Sequence, residues 1–205
     1  MRARLALVYA GQQVELREVV LRDKPPQLIT CSAKATVPVL QLDGGTVIDE
    51  SLDIMLWALA TSDPQGWLAV DKAQQLALIT QSDQNFKSAL DRYKYPNRYI
   101  ADYPEKTEQQ IEQTAKAEAD IFLQQLERRL QQQPFLIAEH LSLVDMAVLP
   151  FIRQFAFVDK EGFDAAPYSK LQQWLANFLT SDLFTQVMPK FKQWQQSDEP
   201  LVFTN

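Results

Sequence analysis

Residues 34–51 read Lys34-Ala-Thr-Val-Pro-Val-Leu-Gln-Leu-Asp-Gly-Gly-Thr-Val-Ile-Asp-Glu-Ser51. Two short β-type runs, Val37–Leu42 and Thr46–Ile48, are joined by the turn residues Asp43-Gly44-Gly45. Pro38 cannot donate to a ladder, so it belongs where an edge-facing strand begins. A cis Val37–Pro38 bond would turn the Val37 amide and carbonyl outward, free to pair with an extended peptide; a trans proline at a strand start is the plainer alternative. After the second run comes Asp49-Glu50-Ser51, followed by Leu52, Met55, Leu56 and Leu59 on one face of a helix reaching about Thr61. Free amides at a helix N-terminus attract a carboxylate, a serine hydroxyl adds a donor, and Glu50 suits an ammonium. Together they can clamp the two charges of an amino-acid head group. A simple N-cap with acidic neighbours is the competing reading.

Working outward, the chain has 205 residues, a net charge of −6, 46% hydrophobic and 22% charged residues. These are the proportions of a globular protein. No apolar run approaches the roughly 20 residues of a membrane helix, and the basic, apolar start of Met1–Ala10 lacks a cleavage pattern, so a cytoplasmic protein is expected. The basic residues are scattered, which argues against nucleic acid as a partner. With Cys31 the only cysteine and His140 the only histidine, an intrachain disulfide and a Cys/His zinc cluster are both excluded, and no metal is expected.

Met1–Ala10 suits a helix stopped by Gly11, although it alternates well enough to be a strand. Val14–Leu21 alternates apolar and charged residues as a half-buried strand does, and Lys24-Pro25-Pro26 breaks it. Ser62-Asp63-Pro64-Gln65-Gly66 is turn-rich and marks a boundary between domains at 1–62 and 68–205. Beyond it the periodicity is helical: Lys72–Tyr93, Glu105–Gln133, a helix from Leu143, Tyr168–Thr180 and Leu183–Trp194. Ser142-Leu-Val-Asp145 fits a capping box, with Leu141 and Met146 placed as a hydrophobic staple.

A strand edge that reads peptide backbone, followed by an amino-acid clamp, suits a short peptide ending in a γ-linked glutamyl group, which is glutathione. Lys34-Ala-Thr-Val-Pro-Val-Leu, Ile48-Asp-Glu-Ser51, Ser142-Leu-Val-Asp145 and its continuation to Phe155, in this order, resemble the cytosolic glutathione transferase family of bacteria. The resemblance spans essentially the whole chain. It implies a thioredoxin-like α/β N-terminal domain followed by an all-α C-terminal bundle, and a cytoplasmic homodimer with a role in detoxification. It further implies that Val37 binds the cysteinyl backbone of glutathione with Pro38 cis, that Glu50 and Ser51 hold the γ-glutamyl end, and that Lys34 lies near the glycyl carboxylate. The second substrate, a small hydrophobic electrophile or a disulfide, would rest against Tyr93, Phe151 and Phe155.

Members of that family open with a buried strand and a loop carrying a catalytic Tyr, Ser or Cys. Here Met1–Gly11 resembles the helix that comes next, so the chain reads as truncated at its N-terminus and its catalytic residue is expected to lie outside this sequence. Three explanations follow: a longer natural chain, a replacement strand at Ala3–Tyr9, or a fold that keeps binding without catalysis. Tyr9 is the one candidate hydroxyl donor to the thiol, while Cys31, in the loop after the prolines, and His140, in the loop before Ser142, have no evident catalytic setting.

Overall fold

The computed structural model describes residues 1–203. Two compact units emerge, one formed by Met1–Gln65 together with the chain from Thr180, the other by Gly66–Leu179.

The first unit opens with helix α1, Arg2–Tyr9, in which Leu5, Ala6, Leu7, Val8 and even Arg2 are buried. A helix covered on all sides belongs to a core, and the alternative of a replacement strand at Ala3–Tyr9 is thereby overturned. Gly11 ends it at φ 65°, with the amides of Gly11 and Gln12 returning to the carbonyls of Val8 and Leu7. This is the left-handed cap that glycine adopts without steric cost. Of the expected strand Val14–Leu21, only β1, Val14–Glu15, forms a ladder among the described residues. Its partner comes from the far end of the chain: β4, Val202–Phe203, pairs antiparallel with Phe203 opposite Val14. Leu16 N–H donates to Leu201 O at 2.7 Å and Trp194 N–H to Glu18 O at 2.9 Å, so the terminal segment tracks the β1 region. Arg4 lies between the Phe191 and Phe203 rings and pairs with Glu18.

Pro25-Pro26 do not simply break the chain. Pro26 opens a short helix α2, Pro26–Cys31, where its missing N–H costs nothing, and Cys31 therefore sits on a helix end rather than in a loop. The hairpin follows as β2, Leu40–Gln41, and β3, Val47–Ile48, and helix α3, Ser51–Thr61, buries Ile54, Met55, Ala58 and Leu59. This is the thioredoxin-like part of the fold.

The second unit is all helical. Helices α4, Lys72–Gln81, and α5, Lys87–Lys94, form one continuous path interrupted by a π-helical turn at Ser82–Phe86. Helix α6, Glu108–Leu130, begins at a Thr107–Gln110 capping box, and its Ile111, Ala115, Ala119, Phe122, Leu126 and Leu130 are buried as their spacing predicts. Helix α7, Leu143–Ala156, is buried along most of its length. Helices α8, Lys160–Ala165, and α9, Ser169–Leu179, complete the unit. The last helix, α10, Asp182–Val187, belongs to the first unit and is half as long as the periodicity over Leu183–Trp194 predicts. Beyond it the chain leaves helical geometry to follow β1.

The Ser142 device folds as expected. Asp145 is fully buried, and its carboxylate accepts from Ser142 N at 3.1 Å, Ser142 Oγ at 2.6 Å, Leu136 N at 3.0 Å and Trp174 Nε1 at 3.2 Å. Burial pushes its pKa upward, while these four donors pull the other way. Gln75, also buried, supplies the amide oxygen that accepts from Val144 N, and Trp67 O accepts from Leu143 N. Three first-turn groups of α7 are thus satisfied away from water.

Candidate functional site

The hairpin turn is closed by Gly45 N–H to Leu42 O at 2.8 Å, with Gly45 at φ 83°. The Val37–Pro38 bond is cis. Because the β2–β3 ladder begins only at Leu40, Val37 takes no part in it, and the residue is 44% exposed. An extended ligand can therefore pair with the Val37 main chain without displacing a strand.

The hairpin delivers Glu50 and Ser51 to the start of α3. Glu50 occupies the N-cap position with extended backbone, yet no side chain caps the helix. The simple N-cap reading of these residues is therefore not what the structure adopts: the first-turn amides of α3 remain without a side-chain acceptor. Glu50 turns instead to Lys34, whose Nζ is 2.6 Å from Glu50 Oε1 and 3.2 Å from Asp49 Oδ1. Ser32 Oγ donates to the other Asp49 oxygen at 2.9 Å. The following residue, Ala35, sits at φ 47°, a left-handed backbone uncommon for a residue with a Cβ. The hydrogen bonds to Glu50, then Asp49, raise the Lys34 pKa, and the Ser32 hydroxyl, then Lys34, lower that of Asp49. With these shifts Lys34 and Asp49 stay charged at neutral pH. Sequence reasoning brings Lys34, Val37, Glu50 and Ser51 to one stretch, but it misses the direct Lys34–Glu50 pair, whose only signal is opposite charge.

The remaining single residues fall elsewhere. Tyr9 Oη donates to Asp63 Oδ1 at 2.9 Å and accepts from Gln65 N at 2.6 Å, so it ties α1 to the turn that ends the first unit. His140 is exposed in the irregular segment before α7.

In the helical unit a cavity of about 310 Å³ is lined by Tyr93, Phe155, Phe163 and Tyr168, with Lys116, Asp120 and Asp159 among its polar groups. Tyr93 and Phe155 meet there with ring centroids 4.9 Å apart. Phe151, expected beside them, is not among the lining residues. Phe163 and Tyr168 complete the row, and only the tertiary contacts of Phe163 with Phe155 and with Tyr168 could have shown that.

Two sequence models of one family match the chain: "Glutathione S-transferase, N-terminal domain" over residues 1–66 and "Glutathione S-transferase, C-terminal domain" over residues 108–177, together about two thirds of it. The chain belongs to the glutathione transferase family. Solved structures agree on the fold. A class Gtt2 glutathione S-transferase of Vibrio parahaemolyticus is 19% identical, with 91% of this chain and 90% of that one covered at a TM-score of 0.71. A glutathione transferase of Pseudomonas putida, with one glutathione disulfide bound per subunit, is 18% identical, with 92% and 86% covered at 0.75. Gtt2 of Saccharomyces cerevisiae is 17% identical, with 91% and 94% covered at 0.65. No curated protein matches the chain in sequence. In this glutathione transferase relative, no helix among the described residues is long and apolar enough to cross a membrane.

Proposed function

We propose that the chain binds glutathione through Val37, Glu50 and Ser51 and conjugates or reduces a small electrophilic or disulfide substrate. The observation that carries this is the uncapped start of α3 at Glu50 and Ser51, which one short hairpin connects to the unladdered Val37. In this reading the γ-glutamyl carboxylate takes the free amides and the Ser51 hydroxyl, and the cysteinyl backbone pairs with Val37. The γ-glutamyl ammonium takes Glu50 in place of Lys34, which is then released toward the glycyl carboxylate. The helical-unit cavity at Tyr93 and Phe155 is the seat of the second substrate. Glutathione disulfide bound to the Pseudomonas putida relative supports the ligand class.

Ser51→Ala should weaken glutathione about 10- to 100-fold, the range of one hydrogen bond to a charged group. Glu50→Gln should weaken it as well, but should leave the affinity for an analogue lacking the α-amino group unchanged. Equal loss for both ligands in Glu50→Gln would contradict the assigned role. A second reading, a binding or regulatory protein without catalysis, is favoured by the commitment of the Tyr9 hydroxyl to Asp63 and Gln65. Turnover of a chromogenic electrophile by the glutathione-bound chain separates the two.

The proposal extends to pairing of two chains and to a cytoplasmic setting, as in the family. The apolar residues of 54–67 and 79–95 that suggest pairing are largely consumed by the chain's own core: Ile54, Met55, Trp67, Ile79, Phe86 and Leu90 are all buried. Light scattering showing only a 23.5 kDa species at micromolar concentration would reject the dimer.

A further inference from the structure

The cavity of the helical unit has a chemistry of its own. Its floor is a row of four rings, with centroid separations of 4.9 Å from Tyr93 to Phe155, 6.4 Å from Phe155 to Phe163 and 6.0 Å from Phe163 to Tyr168. All four residues are buried. Its charged lining is Asp120, Asp159 and Lys116, one net negative charge. Lys116 holds its ammonium 3.4 Å from Asp159 Oδ2 and 5.7 Å from the Tyr93 centroid. An ammonium of the protein itself thus already rests between a carboxylate and a ring face, on a side chain 48% exposed and free to swing away.

We infer that this cavity is a binding site for a small organic cation, an ammonium carrying an aromatic or alkyl group. The inference rests on the reading of the cavity as a ligand seat, and not on glutathione binding. The rings supply the apolar contact and the negative faces that attract a cation. Asp159 supplies the counter-charge. The Tyr93 hydroxyl engages no hydrogen-bond partner among the described residues although Tyr93 is only 3% exposed, and it offers an oxygen to an N–H of the incoming cation. Burial, with Asp159 and Glu112 nearby, holds that hydroxyl protonated, its pKa raised to about 12. An anionic ligand would meet two carboxylates against one ammonium that is already paired. The Tyr93 oxygen is not among the sealed polar atoms, so a purely apolar ligand would cover it and cut it off from water without offering a partner, at a cost that disfavours it.

The experiment uses the full chain with three isosteric probes, benzylammonium, benzyl alcohol and benzoate, titrated by calorimetry into the parent, Lys116→Met and Asp159→Asn. The last retains a residue that caps α8, and circular dichroism checks that each variant is folded. Benzylammonium should bind saturably, at least about fivefold tighter than benzyl alcohol, with benzoate weakest. Lys116→Met removes the resident ammonium and should tighten benzylammonium severalfold, while Asp159→Asn should weaken it about fivefold. Benzoate binding as tightly as benzylammonium would overturn the inference, as would Lys116→Met leaving benzylammonium unchanged or weaker. Absence of saturable binding by the folded parent at millimolar benzylammonium would also overturn it. Glutathione titrated into the same variants reads the first unit separately, so failure of one site is not confused with failure of the other.

Discussion

Replacing Asp145 with alanine tests what holds the helical unit together. The carboxylate accepts three N–H donors, from Leu136, Ser142 and the Trp174 indole, and one hydroxyl, and the residue is fully buried. Alanine leaves three buried N–H groups without an acceptor, at about 1–3 kcal/mol each, and partial relaxation brings the expected loss to about 4 kcal/mol. That is a large share of the roughly 5–15 kcal/mol by which a domain is stable. Asp145→Asn is milder. Its oxygen can serve Leu136 and Trp174, and the Ser142 hydroxyl can rotate to accept from the new amide, so only the Ser142 N–H is orphaned, at about 2 kcal/mol. Urea unfolding followed by circular dichroism and tryptophan fluorescence should give the order parent, asparagine, alanine. A loss below about 1 kcal/mol for alanine, or a larger loss for asparagine than for alanine, would refute this reasoning.

Tyr9→Phe removes two hydrogen bonds and should cost about 1–2 kcal/mol in the same assay while leaving glutathione affinity unchanged, since Tyr9 is assigned to structure. Phe203→Ala should cost about 3–5 kcal/mol and abolish the hydrogen-exchange protection of the Leu16 amide, which donates to Leu201 beside it. Burial, then Asp159 and Glu112, raises Tyr93 above the ordinary tyrosine pKa to about 12, so the folded state holds that proton more tightly than the unfolded chain. Its contribution to stability is therefore intact below pH 10 and lost as pH rises from 10 toward 12; alkaline unfolding of the parent should show this loss, and Tyr93→Phe should lack it.

Features set by neighbours in the chain are legible in the amino-acid sequence. Asp43-Gly44-Gly45 specifies the hairpin turn, the spacing from Ile111 to Leu130 specifies a buried helix face, and Ser142 with Asp145 specifies where α7 begins. Features set by distant partners are not. Nothing in Val14–Leu21 reveals that its ladder partner is Val202–Phe203. The π-helical turn at Ser82–Phe86 has no local breaker to announce it, because packing rather than propensity decides it. The site divides in the same way. The proposed residues Val37, Glu50 and Ser51 can be picked out in sequence because one short hairpin connects them, whereas the cavity depends on α5, α6, α7 and α8 meeting around four rings.

The central claim is that the start of α3 and the edge at Val37 form one glutathione site. Amide chemical shifts of the folded chain, recorded during a glutathione titration, test it most directly. Saturable shifts concentrated at Val37, Glu50, Ser51 and the first turn of α3 are the predicted result. Absence of saturable shifts up to millimolar glutathione, or shifts that leave Val37 and Ser51 unmoved, would contradict it.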